Sequence, residues 1–208
     1  MNKIEYILDR DIYDESMREI ANRKIVIDLG SATPFSKRLS KYKLLFKTTH
    51  YYALDIQLHP DLDIVADIQD LPLRDNCLKG VICSGVLHLV AEPQKAVEEI
   101  YRILNKGGLV FISIPFLYPY HASMTQKDFY RFTKDGLEYM FRNFDKIKLQ
   151  PFGNYINTTL NFIFGFKLRN RFLMNILEKP LWLLISLWRR RPINNLHNPI
   201  GFNILLIK

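Results

Sequence analysis

Five short apolar runs, rich in valine and isoleucine, constrain the fold of this chain more than any other feature of its sequence. They occupy residues 24–30, 51–56, 63–68, 79–86 and 108–115. Runs of this length without alternating polar residues are typical of strands that are buried on both faces, as in a parallel sheet. The same pattern predicts two further strands, at 146–152 and at 201–208, so that the sheet has seven in all.

Helical periodicity lies between and before these strands. Three helices are predicted to begin near Asp11, Pro93 and Thr133, which are residues that favour a helix start. Their apolar faces are, in order, Tyr13, Met17, Ile20 and Ala21; Ala96, Val97, Ile100, Ile103 and Leu104; and Leu137, Met140, Phe141 and Phe144. Alternating strands and helices over 208 residues predict a single α/β domain, 1–208, with a doubly wound, mostly parallel sheet.

Polar residues at the ends of the first three strands indicate a ligand site, because doubly wound sheets bind ligands at the carboxyl ends of their strands. Gly30 allows a tight turn beside a ligand. Asp55 can accept hydrogen bonds from two ribose hydroxyls, and Asp67 from an exocyclic amine such as that of adenine. Taken singly, each acid also fits a helix cap, a turn or a solvated loop.

The segments VIDLGSATPFS (26–36) and YYALDI (51–56), with the whole stretch 63–133, resemble the class I S-adenosylmethionine-dependent methyltransferases, and more closely the type-11 group. The resemblance covers roughly residues 24–150 and implies a Rossmann-like methyltransferase fold, methyl transfer, and S-adenosylmethionine as cofactor. Ala32 and Pro34 stand where glycines are common in the family. A domain that keeps the fold as a binding or scaffold module without turnover is therefore the alternative. The implied cofactor-binding residues are Asp28, Gly30, Ser31, Asp55, Asp67, Ile68 and Ser84.

The segment 115–133, PFLYPYHASMTQKDFYRFT, follows the fifth of these strands and supplies the catalytic candidates His121 and Asp128. A histidine there suits a general base, which a hydroxyl acceptor would need, although it also fits a structural loop histidine. His88 is a further candidate. Asp128 either acts in catalysis or pairs with Arg131 to hold the loop, and Arg131 alternatively binds a phosphate or carboxylate. Cys77 and Cys83 lack a zinc-like spacing, so no metal site is predicted.

Positive charge is concentrated near the carboxyl end of the chain. Residues 151–208 hold eight basic residues and one acid, which is a net charge of +7 out of +8. Within this region, 155–192 is predicted to be a helical, apolar and basic insert before the last strand. Its apolar run is too short to span a bilayer, but Trp182, Trp188 and Arg189 to Arg191 suit an anionic membrane surface. A lid or a dimer interface is the alternative.

The charge and the resemblance together indicate an acceptor that is small or lipid-linked and anionic. The sequence similarity of 115–133 points to a sugar of a surface polysaccharide or glycolipid. Methylation of RNA is a weaker interpretation, because no known RNA-binding module accompanies the basic excess. The mixed charges of the first residues and the two cysteines indicate a cytoplasmic protein, associated with the membrane if the insert binds lipid.

The first prediction concerns this insert. Replacing Arg189, Arg190 and Arg191 together with alanine should weaken binding to anionic vesicles, since each charge contributes about 1 kcal/mol near such a surface. Liposome flotation measures this directly. More wild-type protein should float with anionic vesicles than with neutral ones. A smaller fraction of the variant should float with the anionic vesicles. Equal recovery of wild type and variant would contradict an electrostatic role for the arginines.

Overall fold

The computed structural model describes residues 4–8, 11–35, 37–153 and 199–208. The predicted insert at 155–192 lies outside these ranges. The described residues form one sheet, whose strands are β1 (Ile4–Tyr6), β2 (Ile25–Leu29), β3 (His50–Asp55), β4 (Ile64–Val65), β5 (Leu78–Ser84), β6 (Leu104–Pro115), β7 (Lys146–Phe152) and β8 (Gly201–Ile207).

The strand order across the sheet is β1-β7-β8-β6-β5-β2-β3-β4. Every neighbouring pair is parallel except those made by β8, which lies antiparallel between β6 and β7. From the central strand β2, the chain first builds outward through β3 and β4, and then returns to start again at β5 on the other side. The strand order therefore reverses between β2 and β5, which is where such a sheet opens a crevice for ligands.

Three α-helices pack on this sheet: α1 (Ile12–Ala21), α2 (Pro93–Ile103) and α3 (Lys134–Met140). The Asp11 side chain accepts a hydrogen bond from the Tyr13 amide (2.9 Å), and Thr133 Oγ1 accepts one from the Gly136 amide (3.2 Å), so both predicted caps are confirmed. The 3₁₀ segments Lys37–Phe46 and Leu87–Leu89 complete the helical elements of the described ranges. No helix within those ranges is long and apolar enough to cross a membrane.

The hydrophobic core has two layers, one on each face of the sheet. On one face, α1 and the segment Lys37–Phe46 cover residues such as Val26, Ile82 and Phe111. On the other face, α2 and α3 cover residues such as Ile27 and Val81. Consecutive residues of β2 and β5 thus enter opposite layers, which explains why these strands are apolar without alternation. The doubly wound, mostly parallel sheet predicted from the sequence is confirmed.

Three details differ from the prediction. Among the described residues the sheet has eight strands and not seven, because β1 pairs with β7 at the edge. The strand β1 has only three residues, which is too short for a recognisable sequence pattern. The strand predicted at 63–68 contains only Ile64 and Val65, so Asp67 lies two residues beyond it. Leu104 belongs to the start of β6 and not to the helix before it.

Phe111 provides a test of the layer beneath α1. Its side chain is fully buried, and its ring meets the Tyr13 ring edge-on at a centroid distance of 4.7 Å. Replacing Phe111 with alanine should lower the free energy of unfolding by about 3–5 kcal/mol, because the cavity cannot collapse against a sheet. Urea denaturation measures the loss. Leu44 is the control, because its side chain is 71% exposed, and Leu44→Ala should change the free energy of unfolding little. Equal losses for the two variants would contradict the burial of Phe111 beneath α1.

Candidate active site

The site lies where the strand order reverses, at the carboxyl ends of β2 and β5. Gly30 and Gly85 follow these strands with φ of +71° and +75°. A Cβ on Gly30 would lie 2.2 Å from Val86 Cγ2, so any side chain there would clash. The Gly30 and Ser31 amides both donate to the Leu54 carbonyl (2.7 and 3.0 Å), which ties the turn after β2 to the neighbouring strand β3.

A cavity of about 680 Å³ opens beyond these ends. It brings together five of the seven residues predicted to bind a cofactor, and it extends under part of the segment 116–133, which is called the acceptor loop below. Its volume lies in the range of small-molecule and cofactor sites. The five residues are Gly30, Asp55, Asp67, Ile68 and Ser84.

Asp55 is placed to accept hydrogen bonds from a ligand. Its Oδ2 accepts from the Ala32 amide (2.9 Å) and its Oδ1 from the Gln57 amide (3.0 Å). A carboxylate has about four acceptor positions, so each oxygen retains one for a ligand hydroxyl. Ala32 has a φ of +52°, which glycine adopts more readily than alanine, and this agrees with a position where glycine is common.

The oxygens of Asp67 have more hydrogen-bond partners within the protein than those of Asp55. The Gln69 amide donates to its Oδ1 (2.9 Å), and the Gln69 side-chain nitrogen lies 3.1 and 3.0 Å from its two oxygens. Gln69 in turn accepts a hydrogen bond from the Glu92 amide (2.8 Å). Gln69 could not be identified from the sequence, because a glutamine in a turn carries no motif. It holds the acid in place at the wall of the cavity.

A second cavity of about 300 Å³ adjoins the first and is lined by the remaining two predicted residues, Asp28 and Ser31. Asp28 is almost fully buried and accepts a hydrogen bond from the Tyr51 hydroxyl. Burial raises the pKa of Asp28 to about 6, although the hydrogen bonds from Tyr51 and Ser31 oppose this. Asp28 therefore pairs with β3 on the wall of the smaller cavity and does not line the larger one.

His121 lines both cavities and is oriented by Asp128. The Asp128 side chain is fully enclosed; its Oδ2 accepts from the His121 amide (3.0 Å) and lies 3.1 Å from His121 Nδ1. Arg131 grips both oxygens of this carboxylate, at 2.5 and 2.6 Å, and holds the pKa of Asp128 far below its usual range. An ionised Asp128 keeps the proton of a neutral His121 on Nδ1 and leaves Nε2 as an acceptor.

Arg131 holds the acceptor loop together. Its Nε donates to the Tyr118 carbonyl (2.9 Å), and its terminal nitrogens donate to the carbonyls of Pro119 (2.9 Å) and Tyr130 (2.8 Å). Of the two roles that the sequence left open, the structure shows the loop-holding ion pair with Asp128. The guanidinium is already committed to these protein oxygens.

His88, which follows β5, meets His121, which follows the neighbouring strand β6. Its side chain is buried, and its Nε2 lies 3.4 Å from His121 Nε2. Burial, followed by the neighbouring His121, lowers the pKa of His88 to about 4, so this imidazole is neutral at physiological pH. The His88 carbonyl also accepts from the amides of Phe129 and Tyr130 and anchors the acceptor loop. Both histidines are candidates from the sequence, but their contact could be found only in the structure.

Over part of its length, the chain is similar to known methyltransferases. The sequence profile of a family described as a methyltransferase domain matches residues 38–112. The chain is 40% identical over 55 residues to the demethylmenaquinone methyltransferase of Paenarthrobacter aurescens (strain TC1), covering 26% of this chain and 22% of that protein. It is also 40% identical over 50 residues to the tRNA U34 carboxymethyltransferase of Campylobacter fetus subsp. fetus (strain 82-40), covering 24% and 18%. The chain thus spans about a fifth of the length of these curated relatives.

A solved structure extends the likeness to the whole described fold. The structure of a SAM-dependent methyltransferase from Archaeoglobus fulgidus matches with a TM-score of 0.57, over 95% of this chain and 90% of that one, at 16% identity. At this identity the likeness shows the fold. It confirms the Rossmann-like methyltransferase fold that the sequence resemblance implied.

The buried carboxylate of Asp28 gives a prediction for pH dependence. The pKa of Asp28 in the folded state is about 6, above the usual value near 4. The favourable contribution of Asp28 to the free energy of unfolding is therefore complete below about pH 4 and is lost as pH rises through about 6. Asparagine cannot ionise, so an Asp28→Asn variant does not lose stability in this way as pH rises. The free energy of unfolding of Asp28→Asn, relative to wild type, should therefore rise by up to about 3 kcal/mol between pH 4 and 7.

Urea denaturation across this pH range measures the difference. Asp135→Asn is the matched control, because the Asp135 side chain is 78% exposed and its partner Lys134 stays charged over this range, so its difference from wild type should stay nearly constant. A constant difference for Asp28→Asn as well would mean that Asp28 is not buried as a charged group above pH 6.

Proposed function

We propose that this chain, a class I S-adenosylmethionine-dependent methyltransferase by fold, binds S-adenosylmethionine in the larger cavity and transfers its methyl group to an acceptor in the smaller one. One observation carries the proposal: the two cavities share a wall. Gly30, Ala32, Ser84, Gly85 and His121 line both. A donor and an acceptor in these adjoining cavities would meet at the shared residues, beside the imidazole of His121.

The donor-binding residues follow from the geometry at the strand ends. Asp55 would accept hydrogen bonds from the two ribose hydroxyls, using the lone pairs that the Ala32 and Gln57 amides leave free. Asp67 and Ile68 would hold the adenine, the acid by its exocyclic amine and the isoleucine by apolar contact. Gly30 keeps the turn after β2 close against Val86 at the wall of the cavity, where a side chain would not fit. When bound, S-adenosylmethionine supplies a methyl group already activated by the positive sulfur.

The protein must then align the acceptor and remove its proton. With Nδ1 directed at Asp128, His121 can accept a proton from a hydroxyl acceptor on its Nε2. Asp128 stays ionised, fixes the tautomer and stabilises the imidazolium that forms. Arg131 is a positioning residue, since it acts only through Asp128 and the acceptor loop.

The smaller cavity favours a small acceptor or the end group of a larger one. Tyr13, Tyr118 and Phe152 line it, and Ser113 adds a hydroxyl. Aromatic faces with a few polar groups suit a sugar ring or another flat, partly apolar ring. The positive charge of 151–208 supports an anionic or lipid-linked acceptor, such as a glycolipid or polysaccharide sugar at a membrane surface.

The curated relatives suggest two other acceptors, a quinone and a tRNA, by the names of their own activities. The limited volume of the smaller cavity favours the quinone over a nucleic acid among these two. The alternative to any activity is a scaffold module that keeps the fold without turnover. Donor binding separates the two functions, since only an enzyme requires it.

Donor binding is tested with Asp55. Replacing Asp55 with alanine should weaken S-adenosylmethionine binding about tenfold to a hundredfold, the effect of losing a charge-assisted hydrogen bond. Calorimetric titration measures the affinity, with Asp61→Ala as a control that should bind as the wild type does. Equal affinities for wild type and Asp55→Ala would place the donor elsewhere. A wild type that fails to bind would support the scaffold alternative.

Turnover is tested with His121. Its replacement by alanine should lower the methylation rate about a hundredfold and leave donor affinity unchanged, because the side chain serves proton transfer. The measurement is release of S-adenosylhomocysteine with an acceptor found by screening glycolipids, sugars and quinones. His50→Ala is the matched control, since His50 lies at the opposite, amino end of β3. A normal rate for His121→Ala would reduce this residue to a structural role.

A further inference from the structure

The contact between His88 and His121 has the geometry of two ligands on one metal ion. The two Nε2 atoms lie 3.4 Å apart, longer than an ordinary nitrogen hydrogen bond of about 2.7–3.2 Å. Two imidazole nitrogens on a tetrahedral zinc ion, each about 2.0–2.1 Å from the metal, lie about 3.4 Å from each other. The observed spacing therefore matches a shared metal better than a shared proton.

The surroundings of His121 fit the same interpretation. Metal-binding histidines usually donate their other ring nitrogen to a carboxylate, which fixes the tautomer and raises the basicity of the ligand nitrogen. His121 Nδ1 has such a partner in Asp128, at 3.1 Å. Asp128 is itself held by both terminal nitrogens of Arg131, so its oxygens are committed and it supports a ligand without becoming one.

His88 is free to present the matching lone pair. Its Nδ1 has no hydrogen-bond partner among the residues that the structure describes, so the ring can carry its proton there and present the Nε2 lone pair to a metal. The ring is held in place by burial and by the short 3₁₀ segment Leu87–Leu89, which directs it at His121. The histidines follow the neighbouring strands β5 and β6 and both line the smaller cavity, and His121 also lines the larger one.

We propose that His88 and His121 bind a divalent transition metal of the zinc type through their two Nε2 atoms, with Asp128 as the supporting carboxylate. Imidazole nitrogens favour zinc, cobalt, nickel and copper over magnesium or calcium. The remaining coordination positions would face the cavities and be taken by water or an anionic ligand. A site with two protein ligands is expected to bind reversibly.

This proposal rests on the proposed function in one respect: the metal and the acceptor's proton compete for the same nitrogen of His121. Metal binding should therefore inhibit methyl transfer, and a chelator should restore it. The metal site would act as a regulatory site of the reaction, in which the occupied state is inactive. Donor binding at Asp55, on the far side of the shared wall, should persist in both states.

Metal binding is tested without any assay of activity. Cobalt ion, added to the chelator-treated full chain, should give the visible absorption of a low-coordinate cobalt site, and zinc should displace it. His121→Ala should abolish the signal; its partly exposed side chain makes this variant safe for folding. Asp128→Asn should weaken affinity about tenfold to a hundredfold, the usual effect of losing the supporting carboxylate. His50→Ala should bind as the wild type does.

The outcomes separate this proposal from the function. A wild type without a cobalt signal or calorimetric zinc binding would overturn the metal site and leave donor binding and turnover untouched. Undiminished affinity in both His121→Ala and His88→Gln would likewise overturn it, because the metal would lie elsewhere. A bound metal in a protein that fails to bind S-adenosylmethionine would support the metal site while contradicting the proposed function.

Discussion

The close packing of Gly30 against Val86 is the constraint on which the site depends. The first residue after β2 must turn with positive φ, and the first residues after β5 must pass directly over it. A Cβ at position 30 would push these two strand ends apart, since it would lie 2.2 Å from a valine methyl group. Both cavities open beside this contact: Gly30 lines both, and Val86 lines the larger one.

The acceptor loop depends on a second contact, the ion pair of Asp128 and Arg131. Burying a carboxylate is costly unless its charge and hydrogen bonds are matched. Here a bidentate guanidinium and the His121 amide match them, and the guanidinium also binds the carbonyls of Tyr118, Pro119 and Tyr130. This pair therefore folds the loop back on itself, and the same geometry leaves His121 in a single orientation over the crevice.

Much of the fold could be predicted because strand and helix patterns are local. Runs such as 79–86 and the helical face of Ala96, Val97 and Ile100 occur within a few residues of sequence, and the structure confirms them. The strand β1 could not be predicted, because its stability comes from pairing with β7, more than a hundred residues away.

The predicted site also divides into features that are local in the sequence and contacts that are not. The acids at strand ends could be found from their spacing, but the partners that decide their roles could not. Tyr51 engages Asp28, and Gln69 engages Asp67, through contacts that carry no sequence motif. The meeting of His88 and His121 joins residues from separate loops, and the pairing of β5 with β6, the strands that those loops follow, explains why they converge.

The replacement of glycine by alanine at position 32 bears on whether the domain retains function. Ala32 keeps a φ of +52°, and its amide still donates to Asp55 at 2.9 Å. The left-handed conformation costs an alanine about 1–2 kcal/mol, and a hydrogen bond to a carboxylate offsets a similar amount. The substitution therefore alters the local energy of the turn but preserves the hydrogen bond that orients Asp55. A degenerate sequence motif here coexists with an intact arrangement of the groups that would hold a donor, which favours the enzyme over the scaffold.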